Sequence, residues 1–243
     1  MESAIPASLL AVLDRLDTMS EPERQALAGL PWRQQSFQDG AEIIPEGHRP
    51  TESCVLLRGF TANVRYLANG DRQLTAIHVP GDFFDLHGLF LKVLDHGVVA
   101  LTECQVALVK HEHLKRVTAD HPHLGAVFAA SIAREGALQR TWIVCMGRKD
   151  PVRRIAHLVC EMYRRLERAG GARDFQFEFP VTQAEIADLA GLSVVHTNRA
   201  LQELRATGLM SWQGAEIRIS NWPSLVAFAG FDETYLGLRL EEQ

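Results

Sequence analysis

No apolar run in the 243 residues approaches the roughly 18 that a membrane span needs. Cysteine is scarce. The four residues Cys54, Cys104, Cys145 and Cys160 show no C-x2-C or other close ligand spacing. That argues against a disulfide scaffold and gives no support to a zinc or iron–sulfur framework, so the four read as buried or partly buried thiols, with a redox-sensing cysteine as the alternative. An excess of positive charge is missing too. The balance is −5 overall, with 13 Lys/Arg against 17 Asp/Glu in residues 1–147 and 12 against 13 in 148–243. A protein that coats nucleic acid indiscriminately is excluded, and any affinity for DNA has to come from a local basic face. The opening segment MESAIPASLLAVLDRLD lacks the basic start and unbroken apolar core of a secretion signal. A cytoplasmic protein with no membrane partner is expected. Repeats and low-complexity tracts are absent.

What is present is an ordinary globular composition, 47% hydrophobic and 23% charged, sufficient for a core in one large domain or two modest ones. Leu9, Leu10, Leu13 and Leu16 form a helical stripe, and Ser20 with Glu23 three residues on makes a capping box. From 35 to 110 the texture is short β-rich runs such as SCVLLRG, FTANVRYL and QLTAIHV, punctuated by glycine. ANGD at 68–71 is a hairpin-turn signal, because Asn and Gly accept positive φ. Many short strands at this spacing predict a barrel or sandwich. Helical texture returns near 112. Between Pro122 and Gly147 there is no internal proline, and Leu124, Phe128, Ile132, Leu138 and Trp142 fall roughly on one face. Such a helix is about 39 Å long, more than a small domain needs. It packs on the barrel or pairs with a second copy, and its length favours pairing. Asp150 and Pro151 then cap and start another helix, which ends at Gly170–Gly171. Three segments are expected: 1–120, 121–147 and 148–243.

The third segment carries the most specific pattern. Thr182 and Glu185 form a second capping box, Gly191 makes a turn, and Ser193 caps a helix running to about Thr207. On that helix Thr197, Ala200, Leu201 and Leu204 make the inward stripe. Val194, Val195, Asn198, Arg199 and Gln202 face outward. A solvated face seldom wants two β-branched apolar residues in its first turn. A face entering a major groove can use them against thymine methyls, with Asn198 suited to adenine and Arg199 to guanine. LMSWQGAEIRI then reads as a β-hairpin wing turning at Gln213–Gly214, placed to rest on the phosphate backbone.

In order, DGAEIIPEG, CVLLRGFTANVRY, NGD, PGDFF, the long helix and VTQAEIADLAGLSVVHTNRALQELRATGLM make the chain resemble the superfamily of the cyclic-AMP receptor protein and the fumarate–nitrate regulator (CRP/FNR) over nearly its whole length. The resemblance implies an α+β protein: an N-terminal cyclic-nucleotide-binding-like β-roll (jelly-roll), a long dimerisation helix and a C-terminal winged helix-turn-helix. It further implies a bacterial transcription regulator, not an enzyme, that binds double-stranded DNA at a palindromic site as a homodimer and contacts RNA polymerase. By position, base reading falls to Val194, Val195, Asn198 and Arg199, and backbone contact to Thr182, Gln183, Ser193 and His196. Receptor-like members carry polar or charged residues where Val194 and Val195 stand, so the preferred DNA sequence should differ from theirs.

The sensor half departs from the pattern. Nucleotide-binding members follow PGDFFGEL with an Arg-Ser pair, the glutamate holding the ribose and the pair holding the cyclic phosphate. Here Leu86 stands for the glutamate, and Leu94 and Asp95 for the pair. A phosphate facing Asp95 with no guanidinium is badly placed, so no cyclic nucleotide is expected in the usual mode. The first 50 residues hold no cysteine, which leaves the iron–sulfur branch unsupported. Asp85, Leu86, His87, Leu94, Asp95 and His96 form a candidate pocket for an unidentified small-molecule effector, if one exists. His87 and His96, with Asp85, Asp95 and His78, can ligate a metal or haem or sense pH. The plainer reading is polar loop residues, and no cofactor or metal is expected. H-x-H at 111–113 and 121–123 sits at helix starts and reads as structural. Two alternatives remain: a ligand-sensing β-roll whose C-terminal domain docks a protein rather than DNA, and a barrel metalloenzyme with tightly held metal.

Overall fold

The computed structural model describes residues 7–237. Residues 1–6 and 238–243, the outer ends of the N-terminal reading and of the 148–243 segment, lie outside the described residues. Two helices lead the chain, α1 (Ala7–Leu16) and α2 (Glu21–Ala28). Leu9 and Leu13 of the leucine stripe are buried, and the Ser20 backbone N–H donates to Glu23 at 2.7 Å, closing the expected capping box.

Seven strands follow: β1 (Arg33–Phe37), β2 (Glu42–Ile44), β3 (Glu52–Arg58), β4 (Thr61–Tyr66), β5 (Arg72–His78), β6 (Gly97–Ala100) and β7 (Cys104–Lys110). They pair antiparallel in two sheets, ordered β1-β7-β3 and β2-β6-β4-β5. This is the expected β-roll. The β4–β5 hairpin turns through ANGD with Gly70 at φ +89°. Strand alternation divides the packing of β6. Val98 and Ala100 join Leu56, Phe84 and Leu94 in one apolar cluster, while Val99 joins the cluster built with the C-terminal helices.

Three helices come next, α3 (His111–Asp120), α4 (Pro122–Arg148) and α5 (Pro151–Ala169). Here one expectation is corrected. Leu124 and Phe128 are buried, and Ile132 packs half-buried, among residues of α1, α3 and the roll. Trp142 is buried and Leu138 packs half-buried in the cluster shared with α5. The five-residue stripe is therefore core of its own chain, because α4 already has partners on that side. The face of α4 left open carries Ala126, Ala129, Ala133, Arg140, Ile143 and Val144.

The remaining elements are β8 (Ala172–Arg173), β9 (Gln176–Glu178), α6 (Gln183–Ala190), α7 (Val194–Ala206), β10 (Met210–Gln213), β11 (Glu216–Ile219) and α8 (Trp222–Ala229). The strands form one sheet ordered β10-β11-β9-β8. Gln213 pairs with Glu216, so the wing turns at Gly214–Ala215, one residue later than Gln213–Gly214. Gly214 takes the positive φ (+58°) of the turn. One apolar cluster runs from Phe60, Val64, Leu74 and Ile77 of the roll through α5 into the C-terminal sheet, and the Phe60 and Phe179 rings meet edge-on at 5.4 Å. The bend between Arg148 and Pro151 is thus crossed by continuous packing.

Candidate nucleic-acid interface and effector pocket

The turn between α6 and α7 is built from caps. The Glu185 N–H donates to Thr182 Oγ1 at 3.2 Å, while the Thr182 N–H donates to Glu185 Oε2 at 2.6 Å. This satisfies donors that a helix start otherwise leaves open. Gly191 closes α6 at φ +62°, which few residues adopt. The His196 N–H donates to Ser193 Oγ at 3.3 Å and starts α7. Thr197, Ala200, Leu201 and Leu204 are buried, as their spacing predicts. On the opposite side Val194 is 45% and Val195 70% exposed. Arg199 and Gln202 are exposed and Asn198 half-buried beside them. Thr182, Gln183, Ser193 and His196 are exposed along the same end of the pair of helices. Arg199 has no ion pair among the described residues, so its guanidinium is uncommitted. Arg205, exposed two turns further along α7, extends the outward face and was not singled out by the sequence reading. Its spacing of about two helical turns from Asn198 was the available signal. Arg218 of the wing is exposed and pairs with Glu216 at 2.7 Å.

The six residues expected around an effector pocket do not stay together. Leu86 and Leu94 are buried in apolar clusters, and Asp85 is buried with Oδ1 accepting from the Cys54 N–H at 2.6 Å. Burial pushes the Asp85 carboxyl up to about 7. These three are not pocket residues, because strand and turn geometry points them into the roll. His87, Asp95 and His96 do line a cavity, of about 470 Å³, between the roll and α4. Its other walls include Arg65, Leu74, Glu135 and Trp142. Glu135 accepts from Asn63 Nδ2 at 3.1 Å and lies 3.5 Å from His87 Nδ1. Burial disfavours the charged forms of both His87 and Glu135, but their mutual attraction prevails. It holds His87 above and Glu135 below the usual ranges. Sequence reasoning missed Glu135, Asn63 and Arg65, which stand on other elements. His78, grouped with the histidines at first, is buried beside Thr61, and burial lowers it to about 4.

Below the cavity, buried charges tie the roll to the helices. Asp82 accepts from Arg134 of α4 and from Arg165 of α5, each at 2.8 Å. Arg165 also donates to Glu161, which accepts from Trp142 Nε1 at 2.9 Å and from Tyr235 Oη at 2.8 Å. At the cavity's other end Gln73, which also lines it, donates to the Asp188 carbonyl, and Arg72 pairs with Asp188 of α6 at 2.7 Å. The helix-turn-helix is therefore seated directly on the β4–β5 hairpin.

Comparison with known proteins agrees with both halves. Residues 34–121 match the family described as cyclic nucleotide-binding domain, and residues 153–228 match the Crp-like helix-turn-helix domain. The chain is similar to the transcriptional activator protein FnrL of Cereibacter sphaeroides, with 24% identity over 81% of this chain and 80% of the relative. It is similar to the fumarate and nitrate reduction regulatory protein of Salmonella typhimurium, with 22% identity over 88% of this chain and 85% of the relative. Among solved structures, FixK2 from Bradyrhizobium japonicum superposes with a TM-score of 0.74 at 26% identity, covering 82% of this chain and 98% of the other. These curated relatives are transcriptional regulators, not enzymes. No helix among the described residues is long and apolar enough to cross a membrane.

Proposed function

Because the chain belongs to the CRP/FNR family of transcription regulators, we propose that it works as a cytoplasmic homodimer reading a two-fold DNA site with α7. The observation that carries this is the outward face of α7, where exposed Val194 and Val195 precede an uncommitted Arg199 on a helix capped and anchored from behind. In a major groove the valine methyls meet thymine C5-methyl groups. Asn198 bonds adenine, and Arg199 reaches the O6 and N7 acceptors of guanine. Thr182, Gln183, Ser193 and His196 contact phosphates, which fixes register without reading sequence. The open face of α4, with Ile143 and Val144 exposed, is the surface a second copy covers, and RNA polymerase is the further partner. In this reading the roll binds no cyclic nucleotide in the family's usual manner, since Leu86 and Leu94 are buried apolar residues and Asp95 would repel the phosphate.

The test is selection of bound molecules from a random DNA pool by the full-length protein. A palindrome with half-sites about one helical turn apart is expected. Failure to enrich any two-fold sequence would sink the DNA reading and leave docking of a protein as the use of this face.

A further inference from the structure

Two histidines in the cavity wall have bare nitrogens. His87 leads from the turn after β5, and His96 stands just before β6. Their ring centroids are 5.0 Å apart. His96 Nδ1 faces Asp95 Oδ1 at 3.0 Å, and His87 Nδ1 faces Glu135 Oε2 at 3.5 Å. The Nε2 atoms of both rings are buried and have no partner among the described residues. The His96 side chain is only 8% exposed. A buried imidazole nitrogen without a partner is costly, so two of them side by side need an explanation. The carboxylates supply part of it. With Nδ1–H donated to Glu135, the His87 ring presents an Nε2 lone pair, the form that binds metal, and His96 in the same tautomer presents one when Asp95 leaves its Nδ1–H for the metal. One donor atom each from His87, Asp95 and His96 lie within 4.8 Å of one another.

We infer that His87, His96 and Asp95 hold a divalent first-row transition-metal ion at the edge of the roll–α4 cavity, with Glu135 orienting His87 from behind. Two imidazoles and one carboxylate select zinc, nickel, cobalt or iron over magnesium and calcium, which take all-oxygen sets. Three protein donors leave a coordination position open toward the cavity, which has room for a water or a small ligand. Arg65, 3.8 Å from Asp95 Oδ2 and 3.1 Å from Glu46, keeps Glu46 as its partner when Asp95 turns to the metal. This revises the expectation of no metal. It rests on the regulator reading only for what the metal is used for, since binding is measured without DNA.

The experiment is titration of untagged, chelator-stripped full-length protein with Co²⁺, followed by visible absorption and by metal analysis after Zn²⁺ loading. One ion per chain is expected, with a d–d spectrum of nitrogen–oxygen ligation. His87→Gln and His96→Gln abolish stoichiometric uptake. Glu135→Gln weakens affinity about 10–100-fold, the range for loss of a carboxylate that orients a metal-bound histidine. His113→Gln, at a half-buried H-x-H position away from the cavity, changes nothing. Folding of each variant is checked by its melting curve without metal. No uptake near one ion per chain by the wild-type protein overturns the inference, and so does equal uptake by folded His87→Gln and His96→Gln. Selection from the random DNA pool, run with and without Zn²⁺, reports on the regulator reading separately. Failure there leaves the titration standing.

Discussion

Arg199 and His157 show what single side chains decide. Arg199 is exposed and free of ion pairs, so its removal costs the fold nothing and removes one bidentate contact. Arg199→Ala is expected to relax selectivity at one base per half-site by about 1–3 kcal/mol, read by binding to single-base variants of the selected sequence. An unchanged sequence preference would remove Arg199 from base reading. His157 is buried between Lys149 Nζ, 2.8 Å from Nδ1, and Tyr235 Oη, 3.0 Å from Nε2. Lys149 has no acceptor, so it donates to Nδ1, and the Nε2 proton goes to Tyr235, whose hydroxyl donates to Glu161. Burial, with the Lys149 charge adding, lowers His157 to about 3. The folded protein keeps this ring neutral while the unfolded chain protonates it below about pH 6.5. The stability it contributes is therefore full above that pH and declines as pH falls toward 3, by about 1.4 kcal/mol per pH unit. His157→Gln should flatten that acid-side decline in urea unfolding between pH 6.5 and 4. An unaltered slope would show that the relay does not hold the ring neutral.

Elements are set by their ends and by what lies behind them. Gly191 and Gly208 both close helices of the helix-turn-helix with positive φ, +62° and +69°. A Cβ on Gly191 would stand 3.1 Å from Met146 Sδ, whereas one on Gly208 meets open space. Alanine at Gly208 bears only the left-handed strain, about 1–2 kcal/mol. Gly191→Ala should be the more destabilising of the two by urea midpoint, because α4 crowds the turn as well. Equal costs would mean that Met146 moves aside freely. The turn itself was legible in the sequence, since capping residues and glycine act within four or five positions. The crowding was not, because Met146 is 45 positions away in the numbering of the chain. The same limit explains α4. Periodicity identified a long helix with an apolar stripe, yet a stripe does not say whether the surface it meets belongs to the same chain or to another.

At the scale of the molecule, Asp82 is the joint. It is buried, and burial would raise its carboxyl, but Arg165 and Arg134 outweigh that and hold it below the usual range. Asp82→Asn leaves the largely buried Arg134 guanidinium without its counter-charge and Arg165 with Glu161 alone, which costs about 3–5 kcal/mol. A fall of that size in chemical unfolding is expected, with the roll and the C-terminal part losing structure together because their core is continuous. A loss under about 1 kcal/mol would mean that solvent replaces the carboxylate and that Asp82 is no joint.

Sequence by itself determined most strands of the roll, the caps, the ANGD turn and the outward face of α7, because each depends on neighbours a few positions apart and on 2- or 3.6-residue periods. It also carries the expectation that the family's usual nucleotide contacts are missing, since the lack of the arginine is visible without coordinates. Only the tertiary structure decided which of six candidate pocket residues face the cavity, that α4 buries its own stripe, and that Glu135 stands behind His87. Those relations join residues tens of positions apart, where chain spacing carries no distance and folding alone sets which side chains meet.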